Sequence, residues 1–516
     1  MEFSNQMKFI NYLNKNRYFY IFLIFGLLIF FAPMFFSSFD LMFGAGFDVK
    51  ISNYILEHSF LFLKGIDGHL SFYNAPFGYE NIIANFDLLF AYMPIYWFLR
   101  LFSNPFTSLQ ILLMILCLLN YECFYLFVRR LKFSRLASSF ASFIFAFNLI
   151  RYYNFENIEY FSQFLSILAL IFILKVNDKN SRMKNHLCFI LFSIFLLLQF
   201  YTCFSFGFFL VFGLILFVLF SFFPKASRDY IIKFLKTYQR FIFYYFIGII
   251  LLLTPFVYHV VLNEKIVEIA QALSEIKSFS ALFRNVSFLD NLFIPQNYIS
   301  NYENLALSFG VLALVLGVFG LIKLKNKGAL TLTFFAIIFL SFSLSALIFY
   351  RWAYYFIPMS ENIKYIDNFI FVALLILSIG MAGLIDYLKN KKYLLILVII
   401  LLMFEQIPMN FDKNSPWKNY SWSKKEFLNS TNLLLDKIKD ENIEILLVAK
   451  NINDKKYSKI DFEIKQKRAN KLLDAQAIWL SAYKDVKIKN AYIERAQNEE
   501  KSKVFKISVD IDYDKI

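Results

Sequence analysis

The sequence predicts a mainly α fold: a polytopic transmembrane helical bundle of about 11 spans, followed by a small C-terminal α/β domain. Three observations predict it. Of 516 residues, 59% are hydrophobic and 18% charged, with a mean hydropathy of +0.54, whereas a soluble domain is nearer 45–50% apolar. Apolar runs of the length that crosses a bilayer recur throughout the first 409 residues. Lysine and arginine gather in the short loops between those runs, where they set orientation.

The first run, residues 18–36, follows Lys8, Lys15 and Arg17. It outlasts a signal-peptide core of about 7–15 residues, and no small-x-small cleavage site follows, so it reads as a retained span. Further runs cover 85–102, 107–128, 136–150, 158–173, 187–201, 203–223, 241–262, 305–322, 329–350, 369–387 and 393–407. Twelve full crossings would put the basic loops on the wrong side. Arg129, Arg130, Lys132 and Arg135 would lie outside, as would Lys225, Arg228, Lys233, Lys236 and Arg240, and Lys389, Lys391 and Lys392. If 85–102 does not cross, every basic loop falls inside together. That run carries Asp87, Pro94 and Arg100, which suits an interfacial or re-entrant helix packed against protein. The expected membrane domain is therefore 1–409, N-terminus inside, with an outer first loop at 37–106. The C-terminus is then expected outside.

Residues 410–516 differ in kind. Segments 423–440 and 465–484 read as helices, and "EILLVAK" at 444–450 as a strand. Phe505, Ile507, Val509, Ile511 and Tyr513 alternate with polar residues, as a half-buried strand does. An extracytoplasmic α/β domain of roughly 100 residues follows from this pattern. Its closing "DIDYD" has the form of a metal-binding Asp-x-Asp, but alternation makes it the solvent face of the last strand.

Composition also excludes function classes. The net charge of +15 sits in topology-setting loops, so it does not imply nucleic acid. Cys117, Cys123, Cys188 and Cys203 lie in or beside apolar runs, giving neither a disulfide framework nor zinc spacing. There is no GxxxxGK[ST], HExxH or GxSxG, which argues against ATP-driven transport by this chain alone. Glu122 is expected to pair with the basic loop or snorkel toward it, and His259 to lie at an interface.

Polar groups are costly in a membrane protein unless they serve a site or reach an interface. Here they cluster on the expected outer side. The first loop holds Asp40, Asp48, Glu57, His58, Asp67, His69 and Glu80. Arg151, Asn154, Glu156 and Asn157 follow in the next outer loop, then Glu264, Glu268, Glu275, Arg284, Asp290 and Glu303, and lastly Arg351, Glu361, Lys364 and Asp367. Wet loops are polar for no special reason. The same groups could also converge on an outward-facing cavity, where a carboxylate takes a proton from a hydroxyl and cations hold a phosphate.

Several stretches resemble a known family. The first loop reads "GFD" ending at Asp48, "EHSFLFLKG" with His58, and "FYNAPFGYEN" with Pro76, Gly78 and Asn81. "RRLKFSRLASSFASFIFAFNLIR" closes on Arg151, "FIPQNYISNYENLALSFGVLALVL" carries Glu303 and Gly310, and "IKYIDNFIFVALLILSIGMAGL" carries Lys364 and Asn368. Together they are similar to the polytopic bacterial glycosyltransferases of the GT-C class, in the branch with a "GDP…H…FYPxGxN" first loop. The resemblance spans nearly the whole membrane region through short, degenerate motifs. The chain departs from the pattern at Asn148, Leu149 and Ile150, which replace Ser-Pro-Tyr, at Lys364, which replaces an Arg, and at Asn368, which replaces another.

The resemblance implies an inverting transferase that uses a polyprenyl-phosphate sugar donor entering from the membrane, with transfer to a glycan, lipid or protein acceptor on the outer face. Asp48 is the implied base, with Glu57 and His58 beside it. Arg151 and Lys364 are the implied phosphate partners, and Asn81, Asn157 and Glu303 are further binding candidates. No cofactor is demanded; a divalent metal stays open, because first-loop acids offer oxygen ligands but no spacing requires one. Two other readings compete: a flippase-like lipid or polysaccharide transporter, expected to show inverted repeats, of which the sequence shows no clear sign, and a catalytically silent membrane scaffold, which the Arg-to-Asn departure at 368 keeps open.

Overall fold

The computed structural model describes residues 16–43, 47–65, 72–73, 83, 86–155, 157–176, 181–262, 308–324, 328–342 and 366–408, and in the tail 422–425, 427, 429, 444–449, 487–488 and 504–509. Side chains of 47–48, 226, 259–262, 342, 366–367, 422 and the strands beyond 440 are not described.

The described residues are mostly helical. Six helices are long and apolar enough to cross a membrane. They lie within α1 (Arg17–Phe36), α4 (Pro105–Arg130), α8 (Arg182–Thr202), α9 (Phe204–Ser221), α10 (Lys225–Leu262) and α13 (Ile370–Leu388). Shorter apolar helices fill the spaces between them: α5 (Arg135–Ala146), α7 (Gln163–Ile173), α11 (Val311–Lys323), α12 (Gly328–Phe342) and α14 (Lys392–Glu405). Before α4 come β1 (Leu41–Met42), α2 (Phe47–Leu63) and α3 (Met93–Arg100), and the four-residue α6 (Leu149–Tyr152) follows α5.

The run at 85–102 does not form a spanning helix. Its regular part is a 3-10 turn, Phe90–Tyr92, and the eight-residue α3, about 12 Å of helix at 1.5 Å per residue. Leu89 takes a left-handed φ of 55° just before the turn, and Pro94 sits in the first turn of α3, where its missing N–H costs nothing. Local chemistry starts the long helices. Asn104 caps α4 by accepting from Thr107 N at 2.9 Å, with Pro105 following as the first helical residue. Ser134 and Ser181 cap α5 and α8 in the same way.

One end of the bundle is basic. Arg129, Arg130 and Arg135 flank the α4–α5 turn, and Asp386 near the end of α13 accepts from Ser134 N at 3.1 Å. Lys323, in the last turn of α11, lies over the Tyr387 ring at 5.8 Å. Between those ends α11 and α13 touch backbone to backbone. A Cβ on Gly320 would sit 2.0 Å from Gly380 O, and one on Gly380 would sit 2.2 Å from Gly317 O. Small residues let spanning helices approach this closely where no hydrophobic effect drives them together. Glu122 is exposed on the bundle surface, and the His259 side chain lies outside the described residues.

The opposite end is recessed. At about 1.5 Å per residue, α5 with 12 residues and α7 with 11 cover only some 16–18 Å of a hydrocarbon core about 30 Å thick. The irregular segment joining them therefore lies within the bundle. Phe147, just past α5, packs onto Gly26, the tenth residue of α1. Asn120, midway along α4, donates to Phe161 O at 2.7 Å. The first loop fills the space above. Residues 49–61 of α2 are all buried, and Phe155 of the irregular segment packs on Phe43 as well as on Phe30.

The tail returns to this end. β2 (Trp422–Ser423) pairs antiparallel with β1, Leu41 opposite Ser423 and Met42 opposite Trp422. The chain therefore makes an even number of full crossings between residues 42 and 422. Further on, β3 (Glu444–Ala449) pairs in parallel with both β4 (Lys487–Ile488) and β5 (Val504–Val509); β3 and β5 fall where the sequence pattern predicts strands, and β4 was not expected. The helices expected at 423–440 and 465–484 lie largely outside the described residues.

With the four native cysteines replaced, single cysteines at Asn104 and Lys425 should react with a membrane-impermeant thiol reagent from the same face, and one at Lys391 from the other. All three positions are exposed. Labelling of Asn104→Cys and Lys425→Cys from opposite faces would contradict the topology.

Candidate functional site

The polar residues of the recessed end form three connected groups. The first is on α2. Glu57, wholly buried, receives both Arg100 Nε at 2.7 Å and a second guanidinium N–H at 3.0 Å, the bidentate geometry that suits arginine to a carboxylate. Tyr96 donates to Glu57 Oε2 at 2.8 Å and lies 3.1 Å from Asn53 Oδ1. Arg100 also donates to Ser103 O at 2.7 Å, and Trp97 Nε1 to Ser59 Oγ at 2.9 Å. These bonds compensate the desolvation of the ion pair, which burial alone would make costly. They fasten α3 across α2 and use Glu57 as an anchor. Next to it, His58 Nε2 sits 2.9 Å from Phe72 O, with the ring stacked on Tyr54 at 5.9 Å.

Asp48 is the second residue of α2, where a carboxylate benefits from the positive end of the helix dipole. Its side chain lies outside the described residues, as do Asn81, Glu303 and Lys364. What is described is how Phe39 and Asp40, before it in the first loop, are held. Asp40 accepts from Ser423 Oγ at 2.9 Å and from Lys425 N at 3.2 Å, and its carbonyl accepts from Lys424 N at 3.0 Å. Lys424 Nζ, nearly buried, donates to Phe39 O at 2.8 Å and Thr107 Oγ1 at 2.7 Å. Phe427 packs edge-on against Phe106, and Lys50 Nζ lies 5.0 Å from the Phe427 ring. A strap from the tail thus crosses the start of the first loop and touches α2 two residues from Asp48.

The second group surrounds Arg151, which is completely buried. Its Nε donates to Phe145 O and one terminal nitrogen to Tyr160 O, both at 2.8 Å, and the other terminal nitrogen bonds Gln163 Oε1. The rings of Phe145, Phe161 and Phe371 stand 4.8, 5.8 and 5.8 Å from the guanidinium carbon. Among the described residues no carboxylate bonds it. Arginine stays charged at neutral pH. Arginine's planar fork suits this place, since it supplies divergent donors to carbonyls that the broken helix leaves without partners. Asn157, predicted beside it, is partly exposed and accepts from Tyr160 N through its carbonyl at 3.0 Å.

The third group joins the late helices to the break. Gln406 Oε1 accepts from Asn148 Nδ2 at 3.0 Å and Leu149 N at 3.1 Å, while Asn148 Nδ2 and Gln406 Nε2 both reach Phe309 O. Glu405 caps α11, accepting from Leu312 N at 2.5 Å and Ala313 N at 2.8 Å. Gly310 precedes them with φ +92°, and a Cβ there would lie 2.6 Å from the Glu405 carboxyl carbon. Glycine is required at 310 on both counts. Asn368, at the start of α13, donates to Tyr160 Oη, and its Oδ1 is buried.

Sequence reasoning picked out Glu57, His58, Arg151, Asn157 and Asn368 but not their ties. Arg100 is the one cation of the run 85–102, and its partner, 43 residues away, has no local signal. The pair Glu405–Gln406, closing an apolar run, was itself a signal. The structure brings Asn53, Glu57 and Tyr96 together, and separately Arg151, Tyr160 and Asn368. No group of three or more metal-ligating side chains occurs among the described residues.

These features define the class of protein as far as they reach: a helical membrane protein with a buried polar layer beneath its first loop. No protein-family model matches the chain, and no curated protein matches it either.

One acid of this layer responds to pH. Asp87 accepts from Phe204 N at 3.1 Å at the start of α9, and desolvation outweighs its hydrogen bonds and pushes its pKa up to about 6. A carboxyl with a raised folded-state pKa favours the fold while protonated. Its contribution is complete below pH 4 and is lost as pH rises through 6, roughly 3 kcal/mol in all. Asp87→Asn should flatten the pH dependence of the melting temperature between pH 4 and 7 and raise it at pH 7. An unchanged profile would show that Asp87 is not desolvated.

Proposed function

We propose that this chain is an inverting membrane glycosyltransferase. It moves a sugar from a polyprenyl-phosphate carrier to an acceptor on the first-loop side of a bacterial cytoplasmic membrane. The observation that carries the reading is the seating of α2. The helix whose first turn holds Asp48 is tied to α3 through Arg100 and is touched by the tail through Phe427. A base needs this fixity.

In the proposed reaction Asp48 takes the proton of an acceptor hydroxyl. The oxygen forms a bond to the anomeric carbon of the sugar, and the bond from that carbon to the phosphate oxygen breaks. Polyprenyl phosphate leaves as an anion, with Lys364 the cation assigned to it. Arg151, spent on carbonyls, acts in this reading by holding the floor of the recess. Glu57 and His58 hold α2, and Asn81, Asn157 and Glu303 remain candidates for the sugar and acceptor. The finer architecture belongs to the same proposal: eleven crossings, namely the six long helices and the five shorter ones, with the parallel strands after residue 440 belonging to an α/β domain on the first-loop side. Even crossing parity between β1 and β2 supports this count.

Asp48→Asn should abolish transfer of sugar from a polyprenyl-phosphate donor by at least about a hundredfold, the lower range for loss of a general base, while expression and membrane insertion stay unchanged. Retained transfer would overturn the assignment of the base. Absence of any transfer by the parent protein across donor sugars would favour the transporter or scaffold readings.

A further inference from the structure

The longest helix extends past the bundle at its basic end. α10 runs parallel to α8, tied by Asn185 Nδ2 to Tyr238 Oη at 3.1 Å, by His186 Nδ1 and Tyr245 Oη at 3.2 Å, and by Tyr201 Oη to Leu252 O at 2.8 Å. This register sets the start of α8, Arg182, beside about residue 235 of α10. The ten residues before that, roughly 15 Å of helix, have no counterpart on α8. They and the next turn carry Lys225, Arg228, Lys233, Lys236 and Arg240 against the single acid Asp229, and most of them are exposed. Exposed Arg182 and Lys184 add charge at the same level.

Below this cationic collar one face of α10 changes character. A shallow hollow runs along Leu235, Lys236, Gln239, Ile242, Phe243 and Phe246, apolar except at the end nearest the collar. Tyr238, Tyr244 and Tyr245 follow within about 14 Å of helix below Lys236, in the zone that tyrosine takes at a membrane–water boundary. An apolar strip topped by Lys and Arg at a tyrosine belt matches a phospholipid with a negative headgroup. The acyl chain lies along Phe243 and Phe246, and the headgroup phosphate meets Lys236 and Arg240. Anionic headgroups are attracted to such cations.

We propose that the α8–α10 corner binds an anionic phospholipid at the basic end of the bundle. The site is remote from the first loop and independent of the glycosyltransferase reading. The test is native mass spectrometry of the full chain released from nanodiscs of equal phosphatidylglycerol and phosphatidylcholine. The parent protein should retain phosphatidylglycerol preferentially. Lys236→Gln with Arg240→Gln should reduce that preference about fivefold per cation removed, with an unchanged melting temperature. Lys389→Gln with Lys391→Gln, exposed at the same end, should leave it intact. Equal retention of the two lipids by the parent would overturn the proposal, as would an equal effect of both variants. Loss of the preference in excess inorganic phosphate without any effect of acyl chain length would also overturn it, since it would identify a free-anion site.

Discussion

The bonds from Arg151 to Phe145 O and Tyr160 O are the constraint on which the recessed end depends. In an apolar bundle a helix that stops early leaves carbonyls with neither backbone nor water to satisfy them, and each costs several kcal/mol. α5 and α7 are both short, and between them the described chain forms only the four-residue α6 and a 3-10 turn. One guanidinium bridges the last turn of α5, the 3-10 turn at Ile158–Phe161 and the first residue of α7. Asn120 takes Phe161 O, and Gln406 takes Leu149 N. With those groups satisfied the break is tolerated, and the space above it can accept the first loop.

The first loop is in turn shaped by charge. α2 carries Lys50, Asn53, Glu57 and His58 into full burial, which an unsupported helix would not tolerate. Arg100 neutralises Glu57 from α3, and the aromatic face of Phe427 receives Lys50 from the tail. The tail therefore does more than follow the membrane domain. It closes on Asp40 and reaches α2 where the Phe427 ring meets Lys50. Residues 423–425 are tied by hydrogen bonds to Phe39, Asp40 and Thr107.

Much of the architecture was legible because hydropathy and charge act over whole segments. The basic loops alone required that residues 85–102 not cross, and α3 is too short to do so. The strands at Glu444–Ala449 and Val504–Val509 follow from β-rich alternation. What was illegible depends on pairing at a distance. Nothing local to Arg151 distinguishes a phosphate clamp from a guanidinium enclosed by three rings, and nothing local to Glu57 announces Arg100, 43 residues away. The shortness of α5 was hidden as well. Apolar residues continue through Phe145, Phe147, Leu149 and Ile150, so hydropathy runs on where the helix ends and Asn148 turns the chain.

The central claim is that Arg151 holds the floor of the recess, and substitution by lysine tests it most directly. Lysine keeps the charge but cannot direct donors to Phe145 O, Tyr160 O and Gln163 at once. Thermal unfolding of the purified Arg151→Lys protein, without any sugar lipid, should show a loss on the order of 3–5 kcal/mol, as for a broken buried polar network. An unfolding temperature equal to that of the parent protein, with a defect only in donor binding, would contradict the account and return Arg151 to the role of a phosphate ligand.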